Sequence, residues 1–343
     1  MKNKPFILTL LCLAVALFHP PSSSARDNAA FEMGQYKVKA GTRQRLELPA
    51  GKMYNHQELH LSMDVIHSQQ PGPVLCVTAA VHGDEINGVE IISRLLTHDV
   101  LRNLRGTLVA IPVVNMQAFL GRSRYFPDRR DLNRSFPGSE KGSGASRLAR
   151  LLTTTVLPRC SHVIDLHTGA VHRSNLPQIR ADLSQAGITE LAGAFGAPVI
   201  VHSNTIKGSF RASAQKRNIP LLLYEGGQAL RFEETPIQAG VGGILGVMRY
   251  LNMLPRDNTA PPPVTIARSS YWVRAPQGGL LKSSLELGQY VDKGQKLADI
   301  SDTFGENLKP VYAGQAGLII GINHLPFVEE GSALFHIAET ERP

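Results

Sequence analysis

Leu59, Leu61, Met63 and Val65 alternate with His60, Ser62 and Asp64, and a period of two predicts a half-buried strand. Beyond it the period changes. Short apolar runs rich in β-branched residues (Pro73 to Val81, Leu108 to Val114, His162 to His167, Pro198 to His202 and Pro220 to Glu225) are separated by stretches with helical spacing. These are Ile86, Val89, Ile92, Leu95 and Leu96, then Leu148, Leu151, Leu152 and Val156, and finally Ile237 to Leu254. Strands covered on both faces lose their polar alternation, so this pattern implies an α/β domain: a mostly parallel sheet flanked by helices.

The pattern stops at Leu254. Pro255 cannot continue a helix, and Asp257-Asn258-Thr259-Ala260-Pro261-Pro262-Pro263 reads as a stiff linker within residues 256–268. Only strand and turn spacing follows. There Val291-Asp292-Lys293-Gly294-Gln295-Lys296-Leu297-Ala298-Asp299-Ile300 matches Val328-Glu329-Glu330-Gly331-Ser332-Ala333-Leu334-Phe335-His336-Ile337 position for position. Two such half-units imply a small pseudo-twofold barrel. The expected organisation is a domain over residues 26–255 with a β segment at its amino end, the linker, and an all-β domain over residues 269–343.

Residues 1–25 form a different kind of segment: Lys2 and Lys4, an apolar stretch from Phe6 to Phe18, then Ser23-Ser24-Ala25 with small residues at the −3 and −1 positions. This is the pattern of a cleaved secretory signal, and the stretch is short of the roughly 20 residues that span a bilayer. A periplasmic or secreted protein with no membrane span after cleavage is expected. Of the net charge of +8, Lys2 and Lys4 carry two units, and aromatic residues make up only 6%. No helix-length basic run is present, so nucleic-acid binding is not expected, while small anionic substrates fit the bias. Cys76 and Cys160 both lie in apolar segments, where buried thiols are the default; export permits them to pair, and sequence leaves the choice open.

Candidate chemistry gathers where apolar runs end. Val81-His82-Gly83-Asp84-Glu85 follows a buried strand and opens a helix, and on a first helical turn His82 and Glu85 share a face and can hold one metal ion. Taken alone, HxxE fits a helix-terminus role equally well. Asp165-Leu166-His167-Thr168-Gly169 closes a second strand with a histidine, and Leu223-Tyr224-Glu225-Gly226-Gly227 closes a third with a glutamate. The functional crevice of a parallel sheet lies at the carboxyl ends of its strands. Two histidines and one glutamate make a zinc set that leaves a position for water, and a free glutamate nearby can shuttle its proton. Asp84 and Asp165 are candidates for orienting the histidines. The loop from Arg122 to Gly138 carries Arg122, Arg124, Arg129, Arg130 and Arg134, and guanidinium forks suit carboxylates. Arg129 and Arg130 read as solvated surface residues. His56, His60, His67, His98, His172, His202 and His324 have no matched partner motif and are expected to be structural.

His82-Gly83-Asp84-Glu85, Asp131-Leu132-Asn133-Arg134, Asp165-Leu166-His167 and Glu225, in this order, resemble the succinylglutamate desuccinylase/aspartoacylase family of the zinc carboxypeptidase superfamily over roughly residues 70–254. The resemblance implies His82, Glu85 and His167 as ligands of one zinc ion and Glu225 as general base and then acid. It implies Asn133 and Arg134 as the groups that take a substrate carboxylate, Arg124 as the residue that polarises the scissile carbonyl, and Arg180 as a further substrate contact. The repeat over residues 269–340 resembles the biotinyl/lipoyl hammerhead fold. It departs from carrier domains at the hairpin tip, where Ser301-Asp302-Thr303-Phe304-Gly305 has no lysine, so a packing or access-shaping role is expected instead.

The expected activity is that of an exported zinc-dependent amidohydrolase cleaving an N-acyl amino acid that bears a carboxylate. Two alternatives stay open: a carboxypeptidase or amidase acting on short or cell-wall peptides, and a binding protein on the same fold. A serine hydrolase is not expected, because the chain lacks a G-x-S-x-G nucleophile elbow. Oligomeric state is left open.

Overall fold

The computed structural model describes residues 28–170, 172–257 and 263–341; the leader expected over residues 1–25 lies outside the described residues. A small ribbon, β1 (Phe31–Met33) with β2 (Tyr36–Val38), precedes a long hairpin of β3 (Thr42–Lys52) and β4 (Glu58–His67). Then come β5 (Val74–Ala79), α1 (Asn87–Leu96), β6 (Thr107–Ile111), α2 (Met116–Leu120), α3 (Gly144–Leu151) and β7 (His162–Gly169). They are followed by β8 (Arg173–Ala181), α4 (Ile188–Phe195), β9 (Val199–His202), α5 (Phe210–Gln215), β10 (Leu221–Gln228) and α6 (Glu234–Tyr250). The last part is all strand: β11 (Thr265–Ala267), β12 (Ser270–Arg274), β13 (Gly279–Lys282), β14 (Tyr290–Val291), β15 (Lys296–Ser301), β16 (Lys309–Tyr312), β17 (Gly317–Asn323), β18 (Phe327–Val328) and β19 (Ala333–Ala338).

The five apolar runs become β5, β6, β7, β9 and β10, and β6, β5, β7 and β10 lie side by side in parallel. The sheet as a whole is mixed rather than mostly parallel. β4 joins β6 antiparallel, and β8 runs antiparallel to β10. The connection from β7 to β8 is too short for a helical crossover, so the chain must return in the opposite direction. Helices cover both faces. On one, α1, α4 and α6 bury Ile91, Ile92, Leu95, Phe195, Ile244 and Met248; on the other, α3, α5 and the amino-terminal ribbon bury Leu148, Phe210 and Met33. Each such side chain contributes about 1.5–3 kcal/mol by burial. Close approach needs small residues: a Cβ on Gly240 or Gly243 of α6 would strike Ile91 or Phe195.

The carboxyl-terminal strands are not a separate body hung on a linker. β17 pairs with β8 at Gly321↔Asn175 and Ile322↔Ser174, so β12, β19 and β17 extend the large sheet, while β16, β15, β13 and β18 form a second one. The linker expected to run to residue 268 ends earlier, because Thr265–Ala267 pairs in parallel with β9. The repeat is visible in the packing: Val291, Leu297 and Ile300 of one half and Val328, Leu334 and Ile337 of the other share a core with Phe335.

Cys76 and Cys160 form a disulfide, with Cα atoms 5.8 Å apart, that ties β5 to the segment before β7 across a separation of 84 residues. The default of two buried thiols is thereby corrected; the pairing of β5 with β7 brings the segment before β7, and Cys160 with it, beside Cys76. Closing so long a loop restricts the unfolded chain, and replacing both cysteines by serine is expected to cost about 2–5 kcal/mol. Urea unfolding of the two proteins checks this, and coincident midpoints would show that the bridge does not stabilise the fold.

Candidate active site

β5 ends in a sharp bend rather than running into the helix. Ala80 has a φ of 48°, α1 begins only at Asn87, and the bend is closed by Glu85 N donating to His82 O at 3.2 Å. His82 and Glu85 therefore sit on this loop and not, as expected, on the first helical turn; the turn supplies the same three-residue spacing. Gly83 is required there, because a Cβ would overlap the Ala118–Phe119 backbone. His167 stands at the end of β7, and the parallel register places Glu225 of β10 beside it.

Donor atoms of His82, Glu85 and His167, all buried, lie within 4.8 Å of one another. Glu85 Oε1 is 2.8 Å from His82 Nδ1, and Glu85 Oε2 is 2.7 Å from His167 Nδ1. The outward ring nitrogens face carboxylates as well: His167 Nε2 is 2.9 Å from Asp165 Oδ2, and His82 Nε2 is 3.2 Å from Asp131 Oδ1. Thr78 Oγ1 donates to the other oxygen of Asp165 at 2.6 Å. Burial works against an imidazolium at His167, yet Asp165 and Glu85 outweigh it and hold its pKa well above the usual range. His82 is likewise raised, by Glu85 and Asp131 against burial. Burial would raise Glu85, but the two histidines hold it well below the usual carboxylate range. Two histidine nitrogens and a carboxylate that converge on one point, with the outer nitrogens fixed by acceptors, suit a cation at that point.

Asp165 takes the orienting position foreseen for it. Asp84 does not: it bonds neither histidine, and its Oδ1 is buried without a partner. Asp131 orients His82 instead. Its Oδ1 also accepts from Asn133 N at 2.8 Å, and its Oδ2 accepts from Arg124 Nη2 at 3.1 Å, so one carboxylate sets His82, Arg124 and the turn carrying Asn133 and Arg134. Arg124 Nη1 reaches Glu85 Oε1 at 3.0 Å. Asn133 Oδ1 accepts from Phe210 N at 2.8 Å, which leaves its amide nitrogen unpartnered among the described residues.

Glu225 Oε2 accepts from Asn175 Nδ2 at 2.8 Å. Burial pushes its carboxyl up, against the opposing pull of His167. All eight expected site residues (His82, Glu85, Arg124, Asn133, Arg134, His167, Arg180 and Glu225) line one cavity of about 250 Å³. Arg129 and Arg130 are exposed outside it, as expected. Further lining residues went unforeseen, among them Arg173, Asn175, Arg211, Trp272 and His336. The last two come from β12 and β19, where His336 stacks on Trp272 at 4.5 Å. Of the histidines read as structural, His67 bonds Thr107 Oγ1 at 2.8 Å, and His202 Nδ1 accepts from Leu183 N at 3.1 Å.

A family model, the succinylglutamate desuccinylase/aspartoacylase catalytic domain, matches residues 71–251, more than half of the chain. The chain belongs to this family. The N-alpha-acetyl-L-2,4-diaminobutyric acid deacetylase of Halomonas elongata is 25% identical to this member over 282 residues, 78% of this chain and 82% of its own length. A succinylglutamate desuccinylase/aspartoacylase structure from Rhodobacter sphaeroides is 25% identical, with a TM-score of 0.77 over 87% of this chain and 96% of that one. The product-bound ectoine utilization protein EutE (DoeB) of Ruegeria pomeroyi shares the fold, with a TM-score of 0.79 at 24% identity over 87% and 95% of the two chains. The all-β extension is thus covered together with the family's catalytic domain. Among the described residues no helix is long and apolar enough to cross a membrane.

Proposed function

We propose that this family member is an exported zinc hydrolase that cleaves the amide bond of an N-acyl amino acid bearing a carboxylate. The observation that carries the proposal is the buried His82–Glu85–His167 triad with Glu225 beside it in a small cavity. Two nitrogens and one carboxylate oxygen are the donor set of a catalytic zinc, and when bound such an ion supplies Lewis acidity and lowers the pKa of a water at its open position. Glu225 accepts the proton of the attacking water and returns it to the nitrogen of the departing amine. Its raised pKa suits both steps. Asp131 holds Arg124 next to the triad, and a guanidinium there would stabilise the oxygen on which charge develops. Asn133 and Arg134 take the substrate carboxylate.

The walls favour an acyl amino acid over a peptide. Trp272 and His336 of the carboxyl-terminal strands line the cavity, and about 250 Å³ is below the usual range of ligand pockets. The deacetylase name of the Halomonas relative supports the same reaction class. Export is supported by the leader pattern and by the Cys76–Cys160 bridge, a feature of oxidising compartments. The test is amine release by zinc-loaded protein from a panel of N-acetyl amino acids and dipeptides. Acetyl amino acids are expected to react at least tenfold faster; a preference for dipeptides would overturn the reading. On the acyl amino acids, Arg134→Ala is expected to raise KM by about 10–100-fold through loss of a charge-assisted contact. The same change measured on a substrate amidated at its carboxylate should be close to none, and an equal loss there would remove Arg134 from carboxylate binding.

A further inference from the structure

The mouth of the cavity is apolar and basic at once. Leu120, Tyr125, Ile206, Leu230 and Phe232 are each between 40% and 60% exposed. Ile206 lines the cavity, and the ring of Tyr125 lies 6.0 Å from the guanidinium carbon of Arg124, which also lines it. Leu230 N donates to Asp84 O at 2.8 Å, and Leu120 ends α2, whose Ala118–Phe119 backbone packs on Gly83. The two leucines therefore flank the bend that carries His82 and Glu85. Large apolar side chains grouped at a protein surface mark a contact site. Among them stand exposed bases that nothing neutralises. Arg122, Arg129, Lys207 and Arg231 make no ion pair or side-chain hydrogen bond among the described residues, and the exposed carboxylate on the same loops, Asp128, is taken by Arg130. Three of these positions have left-handed backbone, with φ of 47° at Arg122, 63° at Arg129 and 59° at Leu230. Bulky residues seldom adopt it, and it persists where surrounding bonds impose it. Here the three amides donate to Phe119 O, Phe126 O and Asp84 O. The fold thus keeps two cations and a leucine at the mouth against their backbone preference.

A second copy of the chain would bring this face against itself, positive on positive, which opposes a twofold contact. Apolar side chains dispersed among unpaired bases around an opening, rather than gathered in a dry centre with a polar rim, suit a lipid surface. We propose that these loops dock the protein on an anionic lipid bilayer, without spanning it, and hold the cavity mouth at the headgroup layer. Anionic headgroups meet the bases, while the leucines and Phe232 enter the boundary with the acyl chains. The docking stands apart from the deacylase reading, and its test requires no turnover.

The experiment sediments the protein with vesicles of phosphatidylcholine containing about 30% phosphatidylglycerol, and with phosphatidylcholine alone, at physiological ionic strength. Binding to the anionic vesicles is expected to be at least about tenfold tighter than to the neutral ones. Arg129→Gln with Arg231→Gln is expected to weaken it by about 10–100-fold, because each base near the surface contributes roughly a factor of five. Leu230→Asn with Phe232→Ser is expected to weaken it at least about tenfold by removing apolar area from the boundary, and asparagine tolerates the left-handed backbone at position 230. Arg102→Gln with Arg105→Gln removes the same charge from exposed positions just before β6, at the opposite end of β5 and β6 from His82. That pair is expected to bind as the parent does. An equal loss there would show charge attraction without a docking face and overturn the proposal, as would equal binding to both vesicles or binding to neither. Sedimentation velocity without lipid covers the other occupant: a dimer that Leu230→Asn with Phe232→Ser disperses would assign the face to a second copy and overturn the proposal as well.

Discussion

Glu225→Gln is expected to cut kcat by about 10³–10⁴-fold while bound metal stays at one ion per chain. The substitution keeps the shape of the side chain and an oxygen that can accept from Asn175 Nδ2, so the cavity wall is preserved. What it removes is the group proposed to accept and return a proton. Burial raises the Glu225 pKa above the usual carboxylate range, so the parent enzyme should lose kcat/KM as pH falls through that raised value. If the Glu225→Gln protein keeps more than a tenth of parental turnover with its metal intact, Glu225 is not the proton shuttle.

His167→Ala is expected to abolish both metal binding and turnover. His167 supplies one of the triad's two nitrogens, and its removal leaves Glu85 buried beside a single histidine and Arg124. Asp165→Asn is the graded comparison. It keeps Thr78 and His167 within reach of the same atoms but weakens the acceptor that fixes the imidazole, and a loss of about 10–100-fold in metal affinity is expected. Elemental analysis and a competitive zinc titration measure the two variants together. If His167→Ala retains one ion per chain, the metal lies elsewhere and the triad is an ion-pair cluster only.

The parts of the fold that could be read from the sequence share a physical property: a parallel strand buried on both faces is a continuous apolar run, and its end is marked where polar chemistry begins. This is why His167 and Glu225 stood out, each closing such a run. β8 left no such trace. Its cavity-facing positions Arg173, Asn175 and Arg180 are polar and Pro177 interrupts it, so it reads as loop although it carries three residues of the site wall. Arg211 was hidden for the opposite reason, since one arginine on a short polar helix reads as solvated until packing buries it. Asp131 was visible within its motif, but its simultaneous hold on His82, Arg124 and Asn133 follows only from the folded turn. Asp84 drew attention by standing next to Glu85, yet it bonds neither ring and its Oδ1 is buried without a partner. Trp272 and His336 are far from the triad in sequence, and they reach the cavity because β17 docks on β8 and carries β19 and β12 with it. The two halves of the repeat do share a core, yet nothing in its spacing announced that its strands would continue the large sheet.

Metal-dependent amide hydrolysis at the triad is tested most directly by following amine release from an acyl amino acid while zinc is added back to chelator-stripped protein. Activity is expected to be absent at the start, to rise in proportion to added zinc and to level off at one ion per chain. Turnover that persists in the stripped protein, or that stays absent across the acyl amino acid panel once the ion is bound, would contradict it.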